Sequence, residues 1–128
     1  MTIEEFFKRV KEGDVDAMIS FGDMCIADEF DPDTIKEALI WYERAAELGS
    51  IQGAIRVVNL RKIRGILCEE LNDLKGAVKE YNMAVFWAGK ILKMQDVPAN
   101  VMLSAKEEYG NNQYRVACSY YFAEEYLA

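Results

Sequence analysis

The chain has 128 residues and is 52% hydrophobic, which is enough for one domain with a substantial core. Its 15 basic and 22 acidic side chains give a net charge of -7, which argues against binding to the phosphate backbone of nucleic acids. It has no histidine, so the commonest general base and metal ligand are absent, and its 3 scattered cysteines predict reduced thiols.

The first segment, MTIEEFFKRVKEGD, predicts a short helix. Thr2 and Glu5 have the spacing of a capping box, and Gly13 is a typical helix-ending residue. The segment has no basic stretch followed by an apolar run, so it does not resemble a signal peptide. No part of the chain approaches the roughly 20 apolar residues of a membrane span. We therefore expect a soluble, cytoplasmic protein with no membrane association.

Helical periodicity continues through the first half of the chain, where apolar residues recur at steps of three and four. Asp14 is placed to cap a second helix. Asp31 or Asp33 caps a third, and Pro32 is tolerated near its start because the first helical N–H groups have no partner. Gly49 ends this third helix.

The second half shows the same periodicity. Ser50 predicts the start of a fourth helix, and Asn72 or Asp73 that of a fifth. A break is expected around Pro98, and the GNNQ segment, residues 110–113, predicts a turn between a sixth and a seventh helix. The fold class is therefore all-α, with about seven helices and no strands.

Two of these helices carry small and large residues at the same spacing. Ala38, Tyr42 and Ala45 recur 39 residues later as Ala77, Tyr81 and Ala84. Small residues one turn on either side of a ring leave pockets where a neighbouring helix can approach closely. A period of this length with two helices per unit is typical of solenoid repeats.

The segment ALIWYERAAELG, which contains Ala38 and Tyr42, resembles the second helix of the Sel-one-like repeat, a relative of the tetratricopeptide repeat. The segment EGDVDAMISFGDM resembles the glycine turn and first helix of that family. It has Ala17, Phe21 and Gly22 at the family's small, large and glycine positions.

The segment LGSIQGA resembles the turn that opens the next unit, although Asn59 occupies the usual glycine position there. The resemblance implies an α/α superhelix that acts as an adaptor, without catalysis. It implies one domain over residues 1–128, made of a half unit (1–13), a first repeat (14–49), a diverged second repeat (50–89) and a C-terminal helical cap (90–128).

The resemblance also implies that the first helix of each unit lines a concave face for a protein or peptide partner. The implied positions are Asp16, Ile19, Asp23 and Ile26 in the first unit and Arg56, Leu60, Ile63 and Arg64 in the second. At about 100° per residue, Arg56, Arg61 and Arg64 share an arc of about 140°. Their guanidinium groups are suited to bind carboxylates of a partner, and the alternative is pairing with the protein's own acids.

The C-terminal segment is rich in aromatic residues, among them Tyr120 and Tyr121. Tyrosine is common at protein interfaces because it combines a large rigid surface with a polar tip. The segment is expected to cover the end of the repeat, to contact a partner, or to hold two copies together as a homodimer.

No catalytic or metal-binding constellation is evident. The serines have no histidine to activate them, and no glycine-rich loop is suited to hold a phosphate. The acidic residues 28–33 lack the spacing and the glycine of a calcium loop, so they indicate helix capping. We expect no enzymatic activity, no cofactor and no metal.

The leading hypothesis is therefore a scaffold that binds a protein or peptide. The alternative is a small acidic inhibitor or immunity-type protein that occupies the basic cleft of an enzyme.

Overall fold

The computed structural model describes residues 2–126 and shows six α-helices and no strand within them. The helices are α1 (Ile3–Lys11), α2 (Val15–Ala27), α3 (Pro32–Glu47), α4 (Ile51–Glu70), α5 (Leu74–Leu92) and α6 (Ala99–Tyr126). Successive helices pack mainly as antiparallel pairs, which confirms the all-α prediction. None of the helices in this part of the chain has the length and apolar character that crossing a bilayer requires.

The helix starts follow the local sequence. Thr2 and Glu5 form a capping box at α1. Of the two candidates for α3, Asp31 is the capping residue, and its carboxylate accepts a hydrogen bond from the Thr34 N–H at 2.9 Å. The other predicted caps, which accept from the backbone N–H three residues later, are Asp14, Ser50 and Asp73.

Three loops share one backbone conformation. In each, a residue in the left-handed region directly precedes the capping residue of the next helix. These residues are Gly13, Gly49 and Asn72, with φ values of 86°, 96° and 58°. Glycine and asparagine are the residues that adopt this region at least cost, so these loops are set by local sequence.

The predicted turn at residues 110–113 is wrong, because α6 continues through it. Asn112 is fully buried, and its amide donates to the main-chain oxygen of Glu108 at 2.7 Å and to its carboxylate at 3.1 Å. The side chain that favours a turn is therefore bonded within the helix. Packing of α6 along α5 outweighs the weak helix propensity of this stretch.

The chain forms two compact units that divide between Val57 and Val58, within α4. In unit 1, α2 pairs with α3 and α1 packs on α2. Phe21 contacts Trp41 of α3 and Phe6 of α1, with ring centroids 5.0 Å and 5.6 Å apart. In unit 2, α5 pairs with α6, and its core contains the buried Trp87 and Ile91 of α5.

Candidate functional site

Tyr42 lies at the centre of unit 1 and is only 1% exposed. Its ring rests on Gly22 of α2 so closely that a Cβ there would lie 2.5 Å from it. Its hydroxyl donates a hydrogen bond to Asp23, which also accepts one from the Nε of Arg56 at 2.9 Å. The Arg56 guanidinium carbon lies 5.7 Å from the centroid of the Tyr42 ring.

In the cluster of Asp23, Tyr42 and Arg56, the negative and positive charges pair with each other. Burial acts to raise the pKa of Asp23, but the hydrogen bonds from Arg56 and Tyr42 outweigh it and hold that pKa below its ordinary value. Burial and the neighbouring Asp23 raise the pKa of Tyr42. The negative charge therefore stays on Asp23, and the proton stays on the tyrosine.

Tyr81 occupies a comparable position in unit 2. It is fully buried, and its ring rests on Gly65 of α4, where an added Cβ would again overlap it. The guanidinium carbon of Arg115 lies 5.7 Å from its ring centroid, the same distance as in unit 1. The glycine under the second ring is thus Gly65.

The Tyr81 hydroxyl differs from that of Tyr42. It is buried and makes no hydrogen bond within the described residues. Burial and, to a lesser extent, the nearby Glu69 raise the pKa of Tyr81 to about 12, while Arg115 acts to lower it. Glu69 and Arg115 therefore both lie close to a polar atom that neither of them satisfies.

The basic segment RVVNLRKIR is occupied by internal ion pairs. The pairs are Arg56–Asp23 at 2.9 Å, Arg61–Glu80 at 2.9 Å, Lys62–Glu108 at 3.1 Å and Arg64–Glu80 at 3.5 Å. This agrees with the alternative that the sequence left open. Since each guanidinium already has a carboxylate, the segment has little capacity left for the acids of a partner.

The remaining predicted site residues differ in their exposure to solvent. Ile19 is 8% exposed, so it belongs to the core and offers little area to a partner. Asp16 is exposed on α2. Tyr120 and Tyr121 are 54% and 57% exposed on α6, as an interface role requires.

A groove that the sequence did not indicate lies in unit 2. We call it the α6 groove; it encloses about 520 Å³ and is lined by Glu69, Leu74, Tyr114, Arg115, Ser119 and Phe122. Arg115 forms no ion pair with any residue in the described part of the chain. The Ser119 hydroxyl lies 3.4 Å from a Glu69 carboxylate oxygen. A single arginine among tyrosines was the only sequence signal for this site.

The three cysteines are free thiols, and burial raises the pKa of Cys25 and of Cys68, which lowers their reactivity. No group of histidine, cysteine or acidic residues within residues 2–126 is arranged to hold a metal ion. No protein-family model matches the chain, and no curated protein or solved structure is significantly similar to it.

Proposed function

We propose that this chain is a non-catalytic protein-interaction module whose α6 groove binds an acidic segment of a peptide or protein. One observation carries the proposal. Arg115 lines a groove and has no carboxylate partner among the described residues, whereas Arg56, Arg61 and Arg64 are all paired. A half-buried guanidinium of this kind binds a carboxylate in bidentate geometry.

The other walls of the groove suit a peptide chain. Leu74, Tyr114 and Phe122 provide apolar and aromatic surface next to Arg115, and Tyr114 is 72% exposed. Tyrosine and arginine are the residue types that most often dominate binding energy at interfaces. The Glu69 carboxylate accepts from the Ser119 hydroxyl at 3.4 Å and has further lone pairs that can accept a hydrogen bond from a peptide N–H. The preferred ligand is therefore an aspartate or glutamate beside an apolar residue.

The resemblance to Sel-one-like repeats is part of the same proposal. It is supported by the equivalent settings of Tyr42 on Gly22 and Tyr81 on Gly65, each with an arginine at the ring. An α/α superhelix with an adaptor role in the cytoplasm follows from that resemblance. Binding is now assigned to the α6 groove, and Arg56 and Arg64 are assigned to ion pairs within the chain.

The inhibitor hypothesis is supported by the net charge of -7. An inhibitor of a basic cleft would bind through many exposed acids, and its affinity would fall steeply with salt. Binding in the α6 groove depends on one arginine and on apolar contacts, so it would show a weaker dependence on salt.

Selection from a random peptide library tests the groove directly. We expect the wild-type protein to enrich peptides with an acidic residue next to an apolar one. The Arg115→Glu variant should instead enrich lysine or arginine, because the charge of the anchor is reversed. Arg9→Glu, a charge reversal on exposed α1, is the matched control and should leave the selected motif unchanged. No enrichment by the wild type, or the same motif after Arg115→Glu, would contradict the proposal.

A further inference from the structure

The outer face of α6 repeats the spacing of small and large residues that is buried elsewhere. A small residue, a tyrosine four residues later and a small residue three later occur as Ala38–Tyr42–Ala45, Ala77–Tyr81–Ala84 and Gly110–Tyr114–Ala117. The first two sets are at most 1% exposed. In the third, Tyr114 is 72% exposed, and Gly110 and Ala117 are exposed as well. The pattern that elsewhere receives a helix is thus uncovered on α6 by the described residues.

This face continues along the helix in both directions. At about 100° per residue, Leu103 and Tyr121 each lie about 20° from Tyr114 around the helix axis. They are 61% and 57% exposed. We call these residues the α6 seam: Leu103, Gly110, Tyr114, Ala117 and Tyr121. These residues follow the three- and four-residue steps of the contact positions in a helix pair, and the exposed Glu107 occupies the position between Leu103 and Gly110.

We infer that the α6 seam is the contact surface of a homodimer in which two copies of α6 pack antiparallel. In each unit a tyrosine ring packs on a glycine of another helix, as Tyr42 does on Gly22 and Tyr81 on Gly65. The seam contains both a glycine, Gly110, and a tyrosine, Tyr114, one helical turn apart. A two-fold axis near residue 112 places the ring of Tyr114 on Gly110 of the second copy, and the reverse contact follows by symmetry.

The charges along α6 select this orientation. In the antiparallel arrangement Glu107 faces Ala117 of the second copy, and Glu124 faces Asn100, so no carboxylate opposes another. A parallel arrangement in register would place each glutamate beside the same glutamate of the second copy. In a chain with a net charge of -7, that repulsion disfavours the parallel dimer.

The area of the seam is sufficient for a weak specific dimer. With aromatic side chains of about 150–250 Å², the exposed parts of the seam amount to roughly 450 Å² per copy. Two copies bury about 900 Å², close to the roughly 1,000 Å² at which specific interfaces begin. We therefore expect association that depends on concentration.

Static light scattering over a range of protein concentrations tests the dimer, and Gly110→Gln is the deciding variant. No atom lies within 4 Å of a Cβ added at Gly110, and its φ is not in the left-handed region, so the substitution fits the monomer and raises helix propensity. In the dimer the new side chain collides with Tyr114 of the second copy. We expect dissociation to become at least roughly tenfold easier. Ser104→Gln, at an exposed position away from the seam, is the control and should not change the dissociation of the dimer.

A wild type that is monomeric at every concentration would overturn the inference and assign the seam to another partner. A dimer that survives Gly110→Gln would overturn it too. Tyr114 belongs to both the α6 groove and the seam, but Gly110 does not line the groove, so the Gly110 variant separates the two proposals. Gly110→Gln should leave peptide selection unchanged, and Arg115→Glu should leave the dimer unchanged.

Discussion

The tyrosines at the centres of the two units, Tyr42 and Tyr81, share their packing but differ at their hydroxyl groups. Each ring rests on a helical glycine, with an arginine 5.7 Å from its centroid. The Tyr42 hydroxyl donates to Asp23, whereas the Tyr81 hydroxyl has no partner in the described residues.

The arginines that lie at the two tyrosine rings differ in their partners. In unit 1 the arginine at the ring, Arg56, binds the same carboxylate as the tyrosine, and the cluster is closed. In unit 2 the arginine at the ring, Arg115, faces a groove without a carboxylate partner among the described residues. This difference is why we propose that a ligand binds at the second cluster, although the basic segment in α4 carries more charge.

The largest difference in stability is expected between variants of the two acids that form ion pairs with arginines. The Glu80 side chain is 7% exposed and pairs with Arg61 and Arg64, while that of Asp23 is 47% exposed. Glu80→Ala should lower the free energy of unfolding of unit 2 by about 3 kcal/mol, because it removes a buried carboxylate that two arginines share. Asp23→Ala should cost unit 1 no more than about 2 kcal/mol, because water replaces part of the lost interaction.

The two tryptophans allow these losses to be measured separately, since Trp41 lies in unit 1 and Trp87 in unit 2. Urea unfolding followed by fluorescence in a Trp41→Phe background reports unit 2, and Trp87→Phe isolates unit 1. Equal losses for Glu80→Ala and Asp23→Ala would show that burial does not distinguish the two acids.

An intermediate effect is expected at the glycines under the rings. An added Cβ at Gly22 or Gly65 overlaps the tyrosine ring, and overpacking of this kind costs roughly 1–3 kcal/mol. At Gly110 the same methyl group meets no atom, so alanine gains up to about 1 kcal/mol of helix propensity. Gly22→Ala and Gly65→Ala should therefore be less stable to urea than Gly110→Ala. If all three substitutions stabilise the chain, the rings are not tightly seated.

The sequence predicted those parts of the fold that depend on neighbouring residues. The caps at Asp14 and Ser50 and the loop glycines act within a few residues, so their pattern is sufficient. The turn predicted at residues 110–113 is wrong because Asn112 is buried when α6 pairs with α5, and such packing is a tertiary effect.

The candidate site depends on still longer distances along the chain. The sequence did not show that the Tyr81 ring rests on Gly65, because spacing alone does not show which face of α4 meets α5. Arg61 finds its carboxylate at Glu80, whereas Arg115 meets no carboxylate among the described residues. Which arginine stays unpaired is decided only once the helices have packed.

The smallest effect, and the sharpest comparison, concerns the two hydroxyl groups themselves. Tyr42→Phe removes a hydrogen bond to Asp23 and should lower the stability of unit 1 by about 1 kcal/mol. Tyr81→Phe removes a buried hydroxyl without a partner in the described residues, so the stability of unit 2 should be unchanged or slightly higher. Urea unfolding in the same single-tryptophan backgrounds measures both. A loss at Tyr81 as large as that at Tyr42 would mean that its hydroxyl is already bonded, and the contrast between a closed and an open cluster would then fail.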